Sequence, residues 1–171
     1  LGTQLGAALD RLAIREGTAL VAVSGGPDSI VLLDLMTGVA VDRRLTLVVA
    51  HFDHGIHPDS GAVADRVEGF ARARGLSFVG GTGALGPLAS ETRAREHRLA
   101  WLEQVRERHG ASWILTAHHQ DDQVETLVMR FLNGSGPAGL AGIAESRGAF
   151  CRPLLGVSRQ VLRGHLSAAG L

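Results

Sequence analysis

The sequence predicts an α/β domain built on a doubly wound parallel β-sheet. Short apolar runs of strand length alternate along the chain with stretches whose apolar residues recur every three or four positions, as on one face of a helix. This alternation implies right-handed β–α–β crossovers, which produce parallel strands covered by helices on both faces. With 171 residues, 45% of them hydrophobic, the chain is long enough for a single domain (residues 1–171) with a sizeable core.

Each element follows from a local pattern. Apolar runs predict strands at 19–23, 45–50, 76–79 and 112–116. Helical spacing predicts helices at 29–35, 61–74, 91–108 and 120–132. Glycine-rich stretches predict flexible connections at 80–87 and 133–142. Beyond Ala144, a short strand within 150–155 is expected to stop at Pro153, and Ser158 to cap a last helix through about residue 168.

Composition excludes several classes of protein. The formal net charge is zero and all 17 basic residues are arginine, so the chain has no global basic field, while each cation is a planar fork suited to phosphate. A single cysteine, Cys151, excludes an internal disulfide, a CxxC redox pair and a cysteine-held iron–sulfur cluster. No apolar stretch reaches the length of a membrane span and no signal segment is recognised, so we expect a cytoplasmic protein with no membrane partner.

The first unusual segment is the turn Ser24-Gly25-Gly26-Pro27-Asp28-Ser29, which lies between a predicted strand and a predicted helix. Glycines permit close backbone approach and a helix N-terminus presents free N–H groups, so this geometry is typical of a phosphate-binding turn. Asp28 suits a magnesium ion bridging a polyphosphate. The alternative is an ordinary tight turn with Asp28 or Ser29 as helix cap.

A second segment, TAHHQDDQVET at 116–126, follows the fourth strand and opens a helix. Asp122 and Glu125 are three residues apart and share one helical face, which suits an ammonium group or a metal ion. A dinuclear metal site of His118, His119 and Asp122 is one alternative, although the HxHxDH spacing of metallohydrolases is not met. The other is purely structural, with core histidines and a capped, solvated helix start.

The loops after the first, second and fourth strands are expected to converge on one crevice, because ligands of doubly wound folds lie beyond the carboxyl ends of the strands. The second of these loops, HFDHGIHPDS, carries His51, Asp53, His54 and His57. Three-residue spacing on a loop gives no fixed metal geometry. We therefore expect these histidines to line a nucleotide pocket or to shape the loop.

The turn resembles the SGGxDS signature of the ATP pyrophosphatases, the PP-loop family, whose members cleave ATP between the α and β phosphates. The resemblance implies the adenine nucleotide alpha hydrolase-like PP-loop ATPase fold, with ATP and Mg²⁺ as cofactors. The wider set of HFDHGIHPDS, ETRAREHRLAWLE, TAHHQDDQVET, NGSGPAGLAGI and RPLL is similar to the N-terminal catalytic domain of the tRNA(Ile)-lysidine synthetase family. That similarity extends over about residues 19–166.

Members of that family adenylate the wobble cytidine of an isoleucine tRNA with a CAU anticodon, and free L-lysine then displaces AMP to form lysidine. The resemblance thus implies a ligase that forms a carbon–nitrogen bond in tRNA modification. It implies that Asp122 and Glu125 engage the lysine ammonium and that Arg98 belongs to the active site. The implied site residues are, for catalysis, Asp28, Arg98, Asp122 and Glu125; for the nucleotide, Ser24, Gly25, Gly26, Pro27, Asp28, Ser29, His51, Asp53 and His118; and for magnesium, Asp28.

Asn133 and Leu99 depart from the family pattern, and we expect the C-terminal tRNA-binding part of the family to be absent from this chain. Two alternative functions are therefore considered beside the ligase. The first is a PP-loop enzyme that thiolates tRNA, which the single cysteine disfavours. The second is an ATP-binding module without full catalysis. A homodimer is left open.

Overall fold

The computed structural model describes residues 1–53, 60–83, 90–134 and 142–171. Within these ranges helices and strands alternate along most of the chain. In chain order the elements are α1 (Gly2–Arg11), β1 (Gly17–Ala22), α2 (Pro27–Ala40), β2 (Leu45–Asp53), α3 (Ser60–Ala73), β3 (Ser77–Thr82), α4 (Glu91–Arg108), β4 (Trp113–Leu115), α5 (Gln120–Leu132), β5 (Ser146–Arg147), β6 (Phe150–Cys151) and α6 (Arg159–Ala168).

The strands form one sheet in the order β3-β2-β1-β4-β6-β5. Four of its five strand pairs are parallel, which confirms the predicted doubly wound parallel sheet. The exception is the edge pair of β5 and β6, which is antiparallel. Because the strand order reverses direction at β1, the carboxyl ends of β1 and β4 flank the switch point where such folds bind ligands.

Hydrophobic residues pack on both faces of the sheet, as expected. Along β1, Ala19 and Val21 join the larger core with residues of α1, α2, α3 and α6, whereas Leu20 faces the smaller core beneath α4. The same alternation recurs in β4, where Leu115 and Ile114 belong to opposite cores. Among the described residues, no helix is both long and apolar enough to cross a membrane.

Several elements differ from the predictions, among them the two-residue edge strand β5, which was not predicted. Helix α1 was not predicted, although its buried Leu5, Ala8 and Leu9 follow helical spacing. Strand β3 continues to Thr82, so residues 80–82 are not the flexible connection expected from their glycines; residues 84–87 of that connection, like 135–141 of the second, lie outside the described residues. The predicted strand in 150–155 is only two residues long, because the chain turns away at Pro153.

Gly81 explains why a glycine occurs inside β3. The strand pairs with β2 so that Gly81 is opposite Phe52, and the Trp101 ring of α4 lies so close that a Cβ atom on Gly81 would collide with it. Phe52 and Trp101 are in ring contact, with centroids 5.3 Å apart. The glycine therefore allows α4 to approach the sheet beside the crevice.

We expect Gly81→Ala to lower the free energy of unfolding by about 1–3 kcal/mol, because the new methyl group must displace the indole of Trp101. Gly38→Ala is the matched control. It lies inside α2 with nothing within 4 Å of the position that the added methyl group would take, so it should be neutral or raise stability by up to about 1 kcal/mol. Urea unfolding monitored by tryptophan fluorescence measures both, and equal effects of the two variants would contradict this account of Gly81.

Candidate functional site

The turn that follows β1 is held in one conformation by its glycines. Gly25 has φ +87°, which disfavours other residues, and a Cβ atom there would collide with the side chain of Val63 on α3. Gly26 is the N-cap of α2, and Pro27 begins the helix. Pro27 has no N–H group, and the N–H of Ser29 donates to the carbonyl of Gly26 at 3.1 Å, so the N–H of Asp28 is the first-turn donor that remains for an anion at this helix start.

The two serine hydroxyls order the same turn. The Ser29 hydroxyl donates to the carbonyl of Gly26 at 2.7 Å, and the Ser24 hydroxyl lies 3.3 Å from that of Ser29. Ser29 is buried, whereas the Asp28 side chain retains 28% of its exposure. The turn therefore presents polar groups in a fixed arrangement beside an accessible carboxylate.

A cavity of about 440 Å³ opens beyond the carboxyl ends of β1, β2, β4 and β6. It brings together seven residues of the predicted site, which are Ser24, Gly26, Asp28, Ser29, Arg98, His118 and Asp122. The other polar lining residues are Arg95, Thr116 and Arg152. The apolar lining consists of Ala22, Val23, Ala50, Phe52, Leu99, Leu102, Ala117 and Phe150.

Other predicted site residues lie outside this lining. His51 is buried, and its Nδ1 is 2.8 Å from the carbonyl of Val23, so it braces the start of the turn rather than facing the cavity. Asp53 ends β2, and its carbonyl accepts from Gly83. Gly25, which packs against Val63, and Pro27, which begins α2, shape the turn without lining the cavity. His54 and His57 fall outside the described residues.

Glu125 also lies outside the cavity, one helical turn beyond Asp122. Its side chain is 64% exposed, and its Oε1 is 3.5 Å from Nη2 of Arg159, which begins α6. Asp122 faces the cavity, and its carboxylate accepts a hydrogen bond from the backbone N–H of His119 at 2.8 Å. The two acidic residues therefore share a helix face but have different partners.

His119 is buried at the junction of three elements. Its Nε2 is 3.5 Å from the Asp28 carboxylate of the turn and 3.4 Å from Nε of Arg159 on α6. Of the two alternatives kept for these histidines, this contact set supports the structural one. No cluster of three or more potential metal ligands occurs within the described ranges, so the dinuclear alternative gains no support.

Two arginines of the cavity lining have a buried Nε atom, Arg98 being partly buried as a residue and Arg152 buried. Neither Nε atom has a hydrogen-bond partner in the part of the chain that the structure describes. Burial and the charge of Arg95 lower the pKa of both guanidinium groups. No individual role was predicted for Arg152, whose sequence signal was its place at the start of the RPLL segment, immediately after a short apolar run.

His118 lies among these charges. The Thr116 hydroxyl is 3.0 Å from its Nδ1. Burial, assisted by the charge of Arg152, lowers the pKa of His118 to about 4, while Asp122 opposes the shift. Its imidazole is therefore neutral at pH 7, when it can hydrogen-bond to a ligand without adding charge.

A phosphate-binding turn, arginines with buried nitrogens and a crevice at the switch point of a doubly wound sheet together define a nucleotide-binding domain. Comparison with known families agrees: the profile of the PP-loop domain matches residues 3–171, so the chain belongs to the PP-loop family. It is thus an ATP-binding domain.

Several curated relatives carry the same name. The chain is 40% identical over 170 residues to the tRNA(Ile)-lysidine synthase of Novosphingobium aromaticivorans, covering 91% of this chain and 49% of that protein. It is 37% identical over 156 residues to that of Bacillus cereus, covering 85% and 33% respectively. For Geobacter sulfurreducens the identity is 38%, with coverage of 89% and 34%. The chain therefore spans between a third and a half of the length of these relatives.

Solved structures show the fold at much lower identity. A U34-tRNA thiolase from Methanococcus maripaludis superposes with a TM-score of 0.83 at 16% identity, covering 99% of this chain and 63% of the thiolase. An NAD⁺ synthetase from Burkholderia pseudomallei gives 0.57 at 14% identity, covering 99% and 73%. These likenesses confirm the PP-loop fold expected from the signature.

We expect the free energy of unfolding to fall as pH decreases from 6.5 to about 4, because the unfolded chain protonates His118 in that range and the folded chain does not. The contribution of His118 is at most about 3 kcal/mol, present in full above pH 6.5. His118→Asn should reduce this dependence, whereas His109→Gln, at the exposed end of α4, should not. Urea unfolding at pH 7 and 4.5 measures it; identical pH dependence in wild type and His118→Asn would contradict the assignment.

Proposed function

We propose that this chain carries the catalytic site of an ATP-dependent ligase that joins free L-lysine to the wobble cytidine of an isoleucine tRNA with a CAU anticodon. The tRNA is adenylated with release of pyrophosphate, and the lysine amine then displaces AMP to form lysidine. The observation that carries the proposal is the cavity in which the phosphate-binding turn and Asp122 face one another. The names of the relatives support it, and a cytoplasmic location and a homodimer stay predictions.

In the proposed reaction, the turn Ser24–Ser29 holds the β and γ phosphates as the leaving pyrophosphate. The Asp28 carboxylate fits a magnesium ion, since magnesium in nucleotide sites is held by one or two carboxylates, phosphates and water. Such an ion would supply charge neutralisation for the leaving group. The backbone N–H at the start of α2 would contribute a preorganised donor for the same charge.

The rest of the cavity suits the base and the α-phosphate. Ala22, Ala50 and Phe52 line the side of β1 and β2 with apolar surface, which matches an adenine ring. Arg98 and its neighbours present cations between the turn and β6, where the phosphate of the adenylate would lie. The wobble base must leave its stack to reach this point.

The amine substrate approaches the start of α5. Asp122 faces the cavity, so its carboxylate can bind a lysine ammonium directly, while Glu125 would exchange its contact with Arg159 for the same purpose. The ε-amine must lose a proton before its nitrogen attacks the cytidine carbon and the carbon–oxygen bond to AMP breaks. Because its pKa is lowered to about 4, His118 is too weak a base to deprotonate an ammonium group efficiently at pH 7. We therefore propose that His118 hydrogen-bonds to a ligand rather than acting as the general base.

Thiolation is less well supported. The thiolase of similar fold is named with an iron–sulfur cluster, whereas this chain contains one cysteine. Cys151 is buried, and burial raises the pKa of its thiol, which lowers its nucleophilicity at neutral pH. A binding module without catalysis is the second alternative, and pyrophosphate release separates it from the ligase.

We expect pyrophosphate release from ATP to require both lysine and the CAU-anticodon isoleucine tRNA. Asp28→Asn should reduce release by about 100-fold or more while ATP still binds, because the carboxylate acts on the leaving group rather than on the base. Asp122→Asn should reduce lysine transfer but leave ATP binding unchanged. A coupled pyrophosphate assay and mass spectrometry of the tRNA measure these outcomes.

The control is Asp42→Asn, in the exposed connection before β2, which should behave as wild type. A mass gain of one sulfur in the tRNA would indicate thiolation. Release that ignores lysine and tRNA would contradict the ligase, and the absence of release with intact ATP binding would indicate a binding module.

A further inference from the structure

Arg152 is a buried cation whose guanidinium has no carboxylate within bonding distance among the described residues. Only 9% of the residue is exposed, and in the same ranges its Nε makes no hydrogen bond. Removing a charge from water is costly unless the charge is paired. Because Arg152 lines the cavity, the missing partner fits a bound anion.

A chain of hydrogen bonds holds Arg152 in place from behind. Its Nη1 donates to the carbonyl of Ala144 at 2.7 Å, and its backbone N–H donates to the carbonyl of Glu145. The side-chain amide of Gln123 on α5 makes two hydrogen bonds to the backbone of the neighbouring Ile143. It donates to the Ile143 carbonyl at 2.7 Å and accepts from the Ile143 N–H at 2.6 Å. Gln123 thus connects α5 to the segment on which Arg152 rests.

Gly142 shows how closely this segment packs on the amide. It has φ +70°, and a Cβ atom there would lie 2.6 Å from Oε1 of Gln123. A residue with a side chain would therefore push the segment away from α5. The arrangement fixes the position of the Arg152 guanidinium before any ligand binds, which reduces the cost of ordering it on binding.

The sheet order indicates which part of the nucleotide Arg152 reaches. β6 is two strands from β1, and neighbouring strands are about 4.8 Å apart, so their carboxyl ends are separated by about 10 Å. The turn after β1 takes the terminal phosphates, and the α-phosphate follows toward β4 and β6. Three arginines, Arg95, Arg98 and Arg152, line the cavity as a whole, which is more positive charge than one amino-acid carboxylate would need.

We propose that Arg152 binds the α-phosphoryl group of ATP and of AMP, and that Gln123 is the positioning residue that holds it there. The proposal rests on the proposed function only in taking ATP as the substrate. It does not depend on lysine or on tRNA, so its failure and that of the ligase assignment are distinguishable.

The test compares AMP, adenosine and pyrophosphate, each titrated calorimetrically with magnesium present. Arg152→Met should weaken the affinity for AMP by about 10- to 100-fold, because a hydrogen bond to a charged group is lost. The same substitution should change the affinities for adenosine and for pyrophosphate by less than about twofold. The matched control is Arg163→Met, an exposed arginine of α6 outside the cavity lining, which should leave all three ligands unchanged.

Arg152→Lys keeps a cation and a donor for Ala144 and so serves if the methionine variant does not fold. The lysine ammonium has all its donors on one nitrogen, whereas the guanidinium presents donors on separate nitrogens to the carbonyl and to the phosphate. The affinity for AMP should therefore still be weaker than in the wild type. Wild-type AMP affinity in a folded variant would overturn the proposal. Equal losses of affinity for AMP and adenosine, or a loss confined to pyrophosphate, would also overturn it.

A double-mutant cycle tests the positioning role. Gln123→Leu should weaken the affinity for AMP but not that for adenosine. Combining it with Arg152→Met should cause no further loss of AMP affinity, because the amide acts through the arginine. Gln104→Leu, an exposed glutamine on α4, is the control. Additive losses, or equal losses for both ligands, would show a general structural effect of Gln123 instead.

Discussion

The site depends on the parallel pairing of β1 with β4. The register joins Ala19 to Trp113, Leu20 to Ile114 and Val21 to Leu115, so two segments almost a hundred residues apart leave the sheet side by side. One continues into the phosphate-binding turn and the other into the histidines and acidic residues of α5. Because β4 is only three residues long, a shift of one residue would reverse which of its side chains face each core and would separate the two halves of the cavity.

A second link lies above the sheet. The buried His119 contacts Asp28 of the turn and Arg159 of α6, while the carboxylate of Asp121 accepts from the backbone N–H of Arg159 at 2.8 Å. At their N-termini, three helices therefore meet around one imidazole. This explains why the TAHHQDD segment has two adjacent histidines with different tasks. His118 faces the cavity as a neutral ring, and His119 joins the elements that form its wall.

Sequence patterns identified what is local in this fold. The strand, glycine turn and helix around Ser24–Ser29 are specified within about twenty residues. The predicted cap Ser158 stands at the N-cap of α6, but its hydroxyl makes no capping hydrogen bond. Patterns failed where a distant side chain decides the outcome. Gly81 has the composition of a loop residue, and only the packing of Trp101 on it explains its place inside β3. The contact of His51 with the carbonyl of Val23 is likewise invisible in the sequence, and a role of His51 toward the nucleotide stays a prediction. The two hydrogen bonds between Gln123 and Ile143 join residues twenty positions apart, a contact that no periodic pattern of the sequence indicates.

Charge placement distinguishes this site more clearly than net charge, which is zero. Away from the cavity, described arginines commonly meet carboxylates: Arg43 lies 2.8 Å from Asp10, and Arg74 lies 3.1 Å from Asp34. Those pairs stabilise the surface and are screened by solvent. Inside the cavity, Arg98 and Arg152 instead keep buried nitrogens that no described residue satisfies. Such groups reduce the stability of the free protein. A bound anion would offset that cost, and the free energy of folding and that of nucleotide binding would then be linked through the same two side chains.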